Sequence, residues 1–218
     1  MAPSACAWPP PAAWTRCSGS SASGWKDLGR PAQVQLDNAR ELAGWGPAAR
    51  TLSRVIRLCL HFGVSPVFIP AGEPQFNGSV ENFNGWFQEP LLQRKFHRPG
   101  GLRHELARLQ EAVNTQHVHP RLGGKTPAQH RRGLRLQKLP KSFVVVPTGR
   151  LPLAAGRVTF IRCVSVAGTV TVLSQSFRVG KKHRGLYLQM VVDTGRGRLT
   201  AYLNGRVLKR WPYKLLND

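Results

Sequence analysis

Carboxylates are scarce in this sequence: 10 Asp and Glu stand against 32 Lys and Arg in 218 residues, a formal net charge of +22. Such an imbalance argues against basic partners and favours a polyanion, nucleic acid before an anionic membrane surface. Cysteine is sparse too. Cys6, Cys17, Cys59 and Cys163 form no Cys-x-x-Cys pair, so neither a zinc ribbon nor a dithiol motif is indicated. The expected surroundings are reducing, hence cytoplasmic. No apolar run is long enough to span a bilayer, so no membrane role is expected. Residues 1–11 lack a charged start and an apolar centre, and do not read as a secretory signal.

The charge that is present is unevenly placed. Residues 1–93 carry 7 basic and 6 acidic residues, residues 94–138 carry 11 and 2, and residues 139–218 carry 14 and 2. A nearly neutral stretch therefore precedes two strongly basic ones. The length suffices for one or two small domains with real cores. Residues 1–24, rich in Ala, Pro, Ser and Gly without a period, read as a disordered N-terminal segment. A start read through foreign sequence is an alternative origin for them.

Local patterns predict the elements. Residues 33–36 form a short strand ending at Asp37. Leu52, Val55, Ile56, Cys59 and Leu60 follow helical spacing, with Cys59 in the core and Gly63 closing the helix. Val64–Ile69 reads as a second strand, placed by Pro66 at a sheet edge or a strand start. A turn-rich loop runs from Pro70 to Phe76. A helix from about Asn77 carries Val80, Phe83, Phe87 and Leu91 on one face, with Trp86 in the core beside them and Glu81 on the flank. Leu102, Leu106, Leu109 and Val113 mark another helix. Thr126-Pro127-Ala128-Gln129 is a capping box opening a short basic helix. Beyond Leu139 strands are expected at 143–146, 157–164, 169–173, 186–192, 199–203 and 207–211, with a type I′ hairpin at Asn204-Gly205. These predict an independent small antiparallel barrel or sandwich.

Asp37 and Glu81 lie 44 positions apart, room for a loop, a helix, a strand and the start of the next helix. A strand-end Asp and a helix-flank Glu can converge on a divalent metal, for which hard oxygen ligands suit Mg²⁺ or Mn²⁺. Two such ions can hold the attacking and leaving oxygens of a phosphoryl transfer. Taken singly, Asp37 also suits an Asx turn and Glu81 an exposed helix position. Two basic groups could track phosphates: Arg131, Arg132, Arg135 and Lys138 after the capping box, and Lys181, Lys182, Arg184, Arg206, Lys209, Arg210 and Lys214 further on. His117 and His119, with no cysteine pair nearby, read as loop or packing residues.

These motifs carry a resemblance. Trp25-x-x-Leu28-Gly29-x-Pro31 with Gln35-Leu36-Asp37-Asn38 resembles the second-aspartate strand of insertion-sequence transposases. Pro74-Gln75-Phe76-Asn77-Gly78-Ser79-Val80-Glu81 resembles the family's glutamate helix. Asn114, His117–Pro120 and Gly123-Gly124-Lys125-Thr126-Pro127 are similar to the segment closing the core. The likeness covers about residues 25–135, and a weaker one at 156–216 is to the small barrel that follows the core.

The resemblance to this integrase-core family, with its Asp, Asp, Glu triad and kinship to retroviral integrases, implies the following expectations. The fold is α/β: a partial ribonuclease H-like catalytic core with a basic helical extension at 25–138, then a small DNA-binding β-barrel at 139–218. Asp37 and Glu81 are the second and third catalytic, metal-binding carboxylates of a site for two Mg²⁺ or Mn²⁺ ions. The first catalytic Asp has no counterpart, since Asp27 stands only ten positions before Asp37. The chain then reads as the C-terminal portion of a transposase, truncated or decayed, binding transposon ends and target DNA without full strand transfer. Its expected partners are DNA and either further copies of itself or a full-length transposase, and its place is the bacterial-type cytoplasm at the nucleoid. A working subunit whose missing ligand comes from another polypeptide, and a DNA-binding regulator of transposition, are the alternatives.

Overall fold

The structure is a computed structural model and describes residues 25, 29–39, 42, 51–73, 76, 78, 85, 88–89, 91–135, 137–139 and 151–215. The described residues fall into two compact units, one within 1–77 and 137–218 and the other within 78–136.

In the first unit, β1 (Gln33–Leu36) alternates as a one-sided strand must. Val34 and Leu36 are buried, and Gln33 and Gln35 are exposed. Helix α1 (Arg54–His61) starts at Ser53, whose hydroxyl accepts from the Ile56 N–H at 3.2 Å. It buries Ile56, Leu58, Cys59 and Leu60. Gly63, at φ +67°, ends it in the left-handed region, and a Cβ there would lie 2.5 Å from the Arg30 guanidinium. Strand β2 (Ser65–Phe68) then pairs parallel with β1, Val34 opposite Pro66 and Leu36 opposite Phe68. The amides of Ser65 and Ile69 face β1, so Pro66 lacks its N–H on the other side, where pairing begins only at Val67. That is how a proline is accommodated inside this sheet.

The C-terminal half supplies β3 (Arg157–Cys163), β4 (Thr169–Val172), β5 (Gln175–Arg178), β6 (Tyr187–Asp193), β7 (Arg198–Leu203) and β8 (Arg206–Pro212). One six-stranded sheet runs β1-β2-β3-β6-β7-β8, and β4 and β5 form a separate hairpin. The Asn204-Gly205 turn has φ of 49° and 77°, as a type I′ hairpin requires. The expected closed barrel is not found among the described residues, and this corrects the sequence reading. The antiparallel strands instead extend the β1–β2 sheet, because β3 pairs parallel with β2 through Val67–Thr159 and Phe68–Phe160. The physical reason is a shared apolar face. Phe68 stacks on Phe160 at 5.0 Å with planes 11° apart. Val34, Leu36, Ile56, Val158, Leu188, Met190 and Leu199 continue one buried cluster. Each such side chain fully buried contributes about 1.5–3 kcal/mol. The described fold is thus mixed α/β, with one large sheet and few helices.

In the second unit, α2 (Pro99–Thr115) has proline in its first turn, and the short α3 (Pro127–Arg132) follows a 3₁₀ turn at Pro120–Leu122. The α3 capping box is formed in both directions: the Thr126 hydroxyl accepts from the Gln129 backbone N–H, and the Gln129 side-chain Oε1 accepts from the Thr126 backbone N–H. The apolar stripe expected on α2 is only partly the buried face. Leu109 is buried, Leu102 is exposed, and Glu105 is buried in addition. Glu105 is tolerated there because Arg108 and Arg94 reach it at 2.6 and 2.9 Å. The hydrogen bond from Arg108, with both positive charges, holds its carboxyl below the ordinary range. The helix predicted from about Asn77, including Val80, Glu81, Phe83, Trp86 and Phe87, falls mostly outside the described residues, as do residues 1–24 and the strand predicted at 143–146.

Candidate functional site

Asp37 follows the last residue of β1, so the strand delivers its carboxylate to the sheet's end. Its Oδ1 accepts from the Ala39 N–H at 3.0 Å, an Asx turn that sets the side chain and leaves Oδ2 for another partner. Asn38 is held from both of its amide ends. Its Nδ2 donates to the Ile69 carbonyl at 2.6 Å, tying the end of β1 to the end of β2. Its Oδ1 accepts from Arg162 at 2.8 Å.

Arg162 is the residue that the sequence reading missed. It reaches from β3 to Asn38 Oδ1 and also donates to the carbonyls of Ile69 at 3.2 Å and Ile161 at 2.9 Å. Its guanidinium lies 5.2 Å from the centre of the Phe160 ring. Burial pushes its pKa down to about 10. A signal was available: on β3 the inward positions run Val158, Phe160, Arg162, and a charge on an apolar face needs a reason.

The loop after β2 is tied down as well. The Gln35 side chain donates to the Phe76 carbonyl at 2.9 Å, and the Tyr187 hydroxyl donates to Glu73 Oε1 at 2.5 Å. That bond raises the Tyr187 pKa, since the phenolic proton is held by the carboxylate. This loop leads toward Glu81, which lies outside the described residues.

Residues 62–127 match the family model of the integrase core domain. No curated protein matches the chain. The integrase-core match includes Glu81 and the Asn114–Pro127 segment, and starts after Asp37. It supports a link to the integrase-core family, whose members generally depend on divalent metal and act on DNA, and so a part in DNA integration or transposition.

The integrase-core expectation can be tested against the donors present. Asp37 offers a hard carboxylate oxygen of the kind Mg²⁺ or Mn²⁺ takes. Among the described residues no group of three His, Cys, Asp or Glu side chains is placed to hold a metal ion. Among the described residues Asp37 is a single hard donor and not part of a ligand set. His117 and His119 are exposed and meet edge to face, ring centres 5.9 Å apart.

The expected DNA-contacting cations are all exposed. Arg131 and Arg132 close α3, and Arg135 follows it. Lys138 lies near Gln137, which pairs with Arg30. Lys181, Lys182 and Arg184 sit in the turn before β6, and Arg206, Lys209 and Arg210 on the edge strand β8. Lys209 Nζ donates to the Arg178 carbonyl at 3.1 Å and lies 5.4 Å from the Trp211 ring centre. A groove of about 350 Å³ along α2 is lined by His104, Arg108, Glu111 and Gln116, none of them an expected site residue.

Proposed function

We propose that this chain binds DNA and takes part in integration or transposition, with Asp37 and Glu81 as two acidic ligands of a divalent-metal site. The integrase-core match at 62–127 carries the reading. In it, residues 25–138 are the ribonuclease H-like catalytic part and residues 139–218 hold DNA. A bound metal would activate the attacking oxygen and stabilise the leaving one. Asp37 holds one side of that site, Asn38 and Arg162 fix the turn that presents Asp37, and the exposed cations neutralise phosphates. Two carboxylates are fewer than the three a two-metal site ordinarily uses, so strand transfer by this chain alone is expected to be weak.

The test is a Mn²⁺-dependent nicking and joining assay on duplex ends, with Asp37→Asn and Glu81→Gln as controls. Activity that either control abolishes supports the site, and activity that both controls retain refutes it. A second reading is favoured by the placement of the charge, net +21 over residues 94–218 from 25 basic and 4 acidic residues. In that reading the protein regulates transposition by occupying DNA ends or joining oligomers of a complete transposase. Co-purification with such a transposase separates it from the first.

A further inference from the structure

We infer that Tyr187 and Phe76, with Lys181, Lys182 and Arg184, form a stacking site for unpaired bases of a single DNA strand. The inference rests on the DNA-binding reading above and adds where a strand would lie.

Large apolar side chains seldom stand in the open together without a task. Here Phe76 is 47% exposed, Leu186 43% and Tyr187 41%. The two rings lie 6.3 Å apart with planes at 57°, so neither covers the face of the other. Both are held in place before any ligand arrives. The Tyr187 hydroxyl is fixed by Glu73, and the Phe76 backbone is bonded at its carbonyl by Gln35 and at its N–H by the Glu73 carbonyl. A ring whose hydroxyl or backbone is already tethered loses less freedom on binding.

The surroundings select the ligand. The turn Lys181–His183 and Arg184 lead straight into Tyr187, closed by Gly185 N–H to the Val164 carbonyl and Val164 N–H to the Leu186 carbonyl, both 3.0 Å. All three cations are exposed, and among the described residues none forms a salt bridge. Gln189 lies exposed two residues along β6, on the face that Tyr187 occupies. Exposed cations that lie close along the chain to an open aromatic ring suit phosphates alternating with bases, whereas an apolar protein surface would leave three charges without partners. Strandedness follows from geometry, because an aromatic ring reaches a base face only when the base is unstacked. The Phe76 backbone is tied to β1 by the Gln35 side chain, two residues before Asp37. A strand frayed at a DNA end would therefore be held near the candidate carboxylate.

The experiment is fluorescence anisotropy with the full chain, using a labelled 20-nucleotide oligothymidine, the same length of uridine RNA, and a 20-base-pair duplex. Tyr187→Ala and Phe76→Ala are each expected to weaken oligothymidine binding about tenfold and duplex binding less than about twofold. Tyr187→Phe, which keeps the ring and loses the Glu73 bond, should stay within about twofold of the parent. Replacing Lys181, Lys182 and Arg184 by Ala should reduce the single-strand salt slope by about 2. A thermal melt accompanies each variant, and Tyr187→Leu replaces Tyr187→Ala if the latter fails to fold. Equal oligothymidine binding by the parent and the ring-less variants overturns the stacking site while leaving DNA binding intact. Failure of the parent to bind either DNA overturns the underlying reading as well. Uridine RNA bound about tenfold tighter than oligothymidine reassigns the ligand and overturns the DNA claim.

Discussion

Arg162 shows what one side chain can decide. Its position on β3 is inward-facing, where Val158 and Phe160 precede it, and burying a guanidinium costs free energy unless its protons find acceptors. Ile69, Ile161 and Asn38 supply them. Arg162→Gln should destabilise by about 1–3 kcal/mol, because the Asn38 amide and the two carbonyls lose charge-assisted donors. Arg162→Lys should recover little of that, since an ammonium cannot span the same acceptors. Urea unfolding reads both, and an unchanged midpoint in either would contradict the anchoring role. Cys59 offers a second test. Burial pushes its thiol up to about 12, from an ordinary value of 9.0. Between these values the unfolded chain releases the proton and the folded one keeps it. The stability this group contributes is therefore complete below pH 9 and lost as pH rises toward 12. Wild type should lose more stability than Cys59→Ala between pH 8 and pH 10.5, measured by urea midpoints; identical losses would count against a buried neutral thiol.

At the scale of elements, local signals and tertiary choice part company. The α3 capping box was legible because its hydrogen bonds join residues three apart, Thr126 and Gln129. Thr126→Ala should cost about 1 kcal/mol, checked by thermal or urea melting. The helix stop at Gly63 and the turn at Asn204-Gly205 were legible for the same reason. Strand β5 was not. Its turn from β4 is Leu173-Ser174, both at positive φ (46° and 61°), without the glycine or asparagine that marks such turns. Replacing that pair with Asn-Gly should remove strain and raise the melting temperature by a few degrees, since about 1 kcal/mol shifts a domain of this size by that much. A lowered melting temperature would show that Leu173, which is buried, contributes more by packing than the turn costs.

For the molecule as a whole, the joining of β2 to β3 is the decisive event. It merges two stretches that composition separates, and it carries Arg162 to the turn after β1 and Tyr187 to the loop after β2. The Phe68–Phe160 stack lies at that seam. A double-mutant cycle with Phe68→Leu and Phe160→Leu should give a coupling of about 0.5–1.5 kcal/mol. Additive effects would argue that the two strands stabilise separate parts.

The sequence by itself determined the strand that ends at Asp37, the capped and glycine-stopped helices, most of the C-terminal strands and the basic character of residues 94–218. Each depends on side chains within a few positions of one another, or on composition alone. Only the tertiary structure decided that the antiparallel strands extend a shared sheet instead of closing a barrel. It alone decided that Glu105 is buried between two arginines, that Arg162 anchors Asn38, and that Tyr187 and Phe76 stand together in the open. Those outcomes come from pairing distant strands over a common apolar face, and no local spacing records which strands will meet.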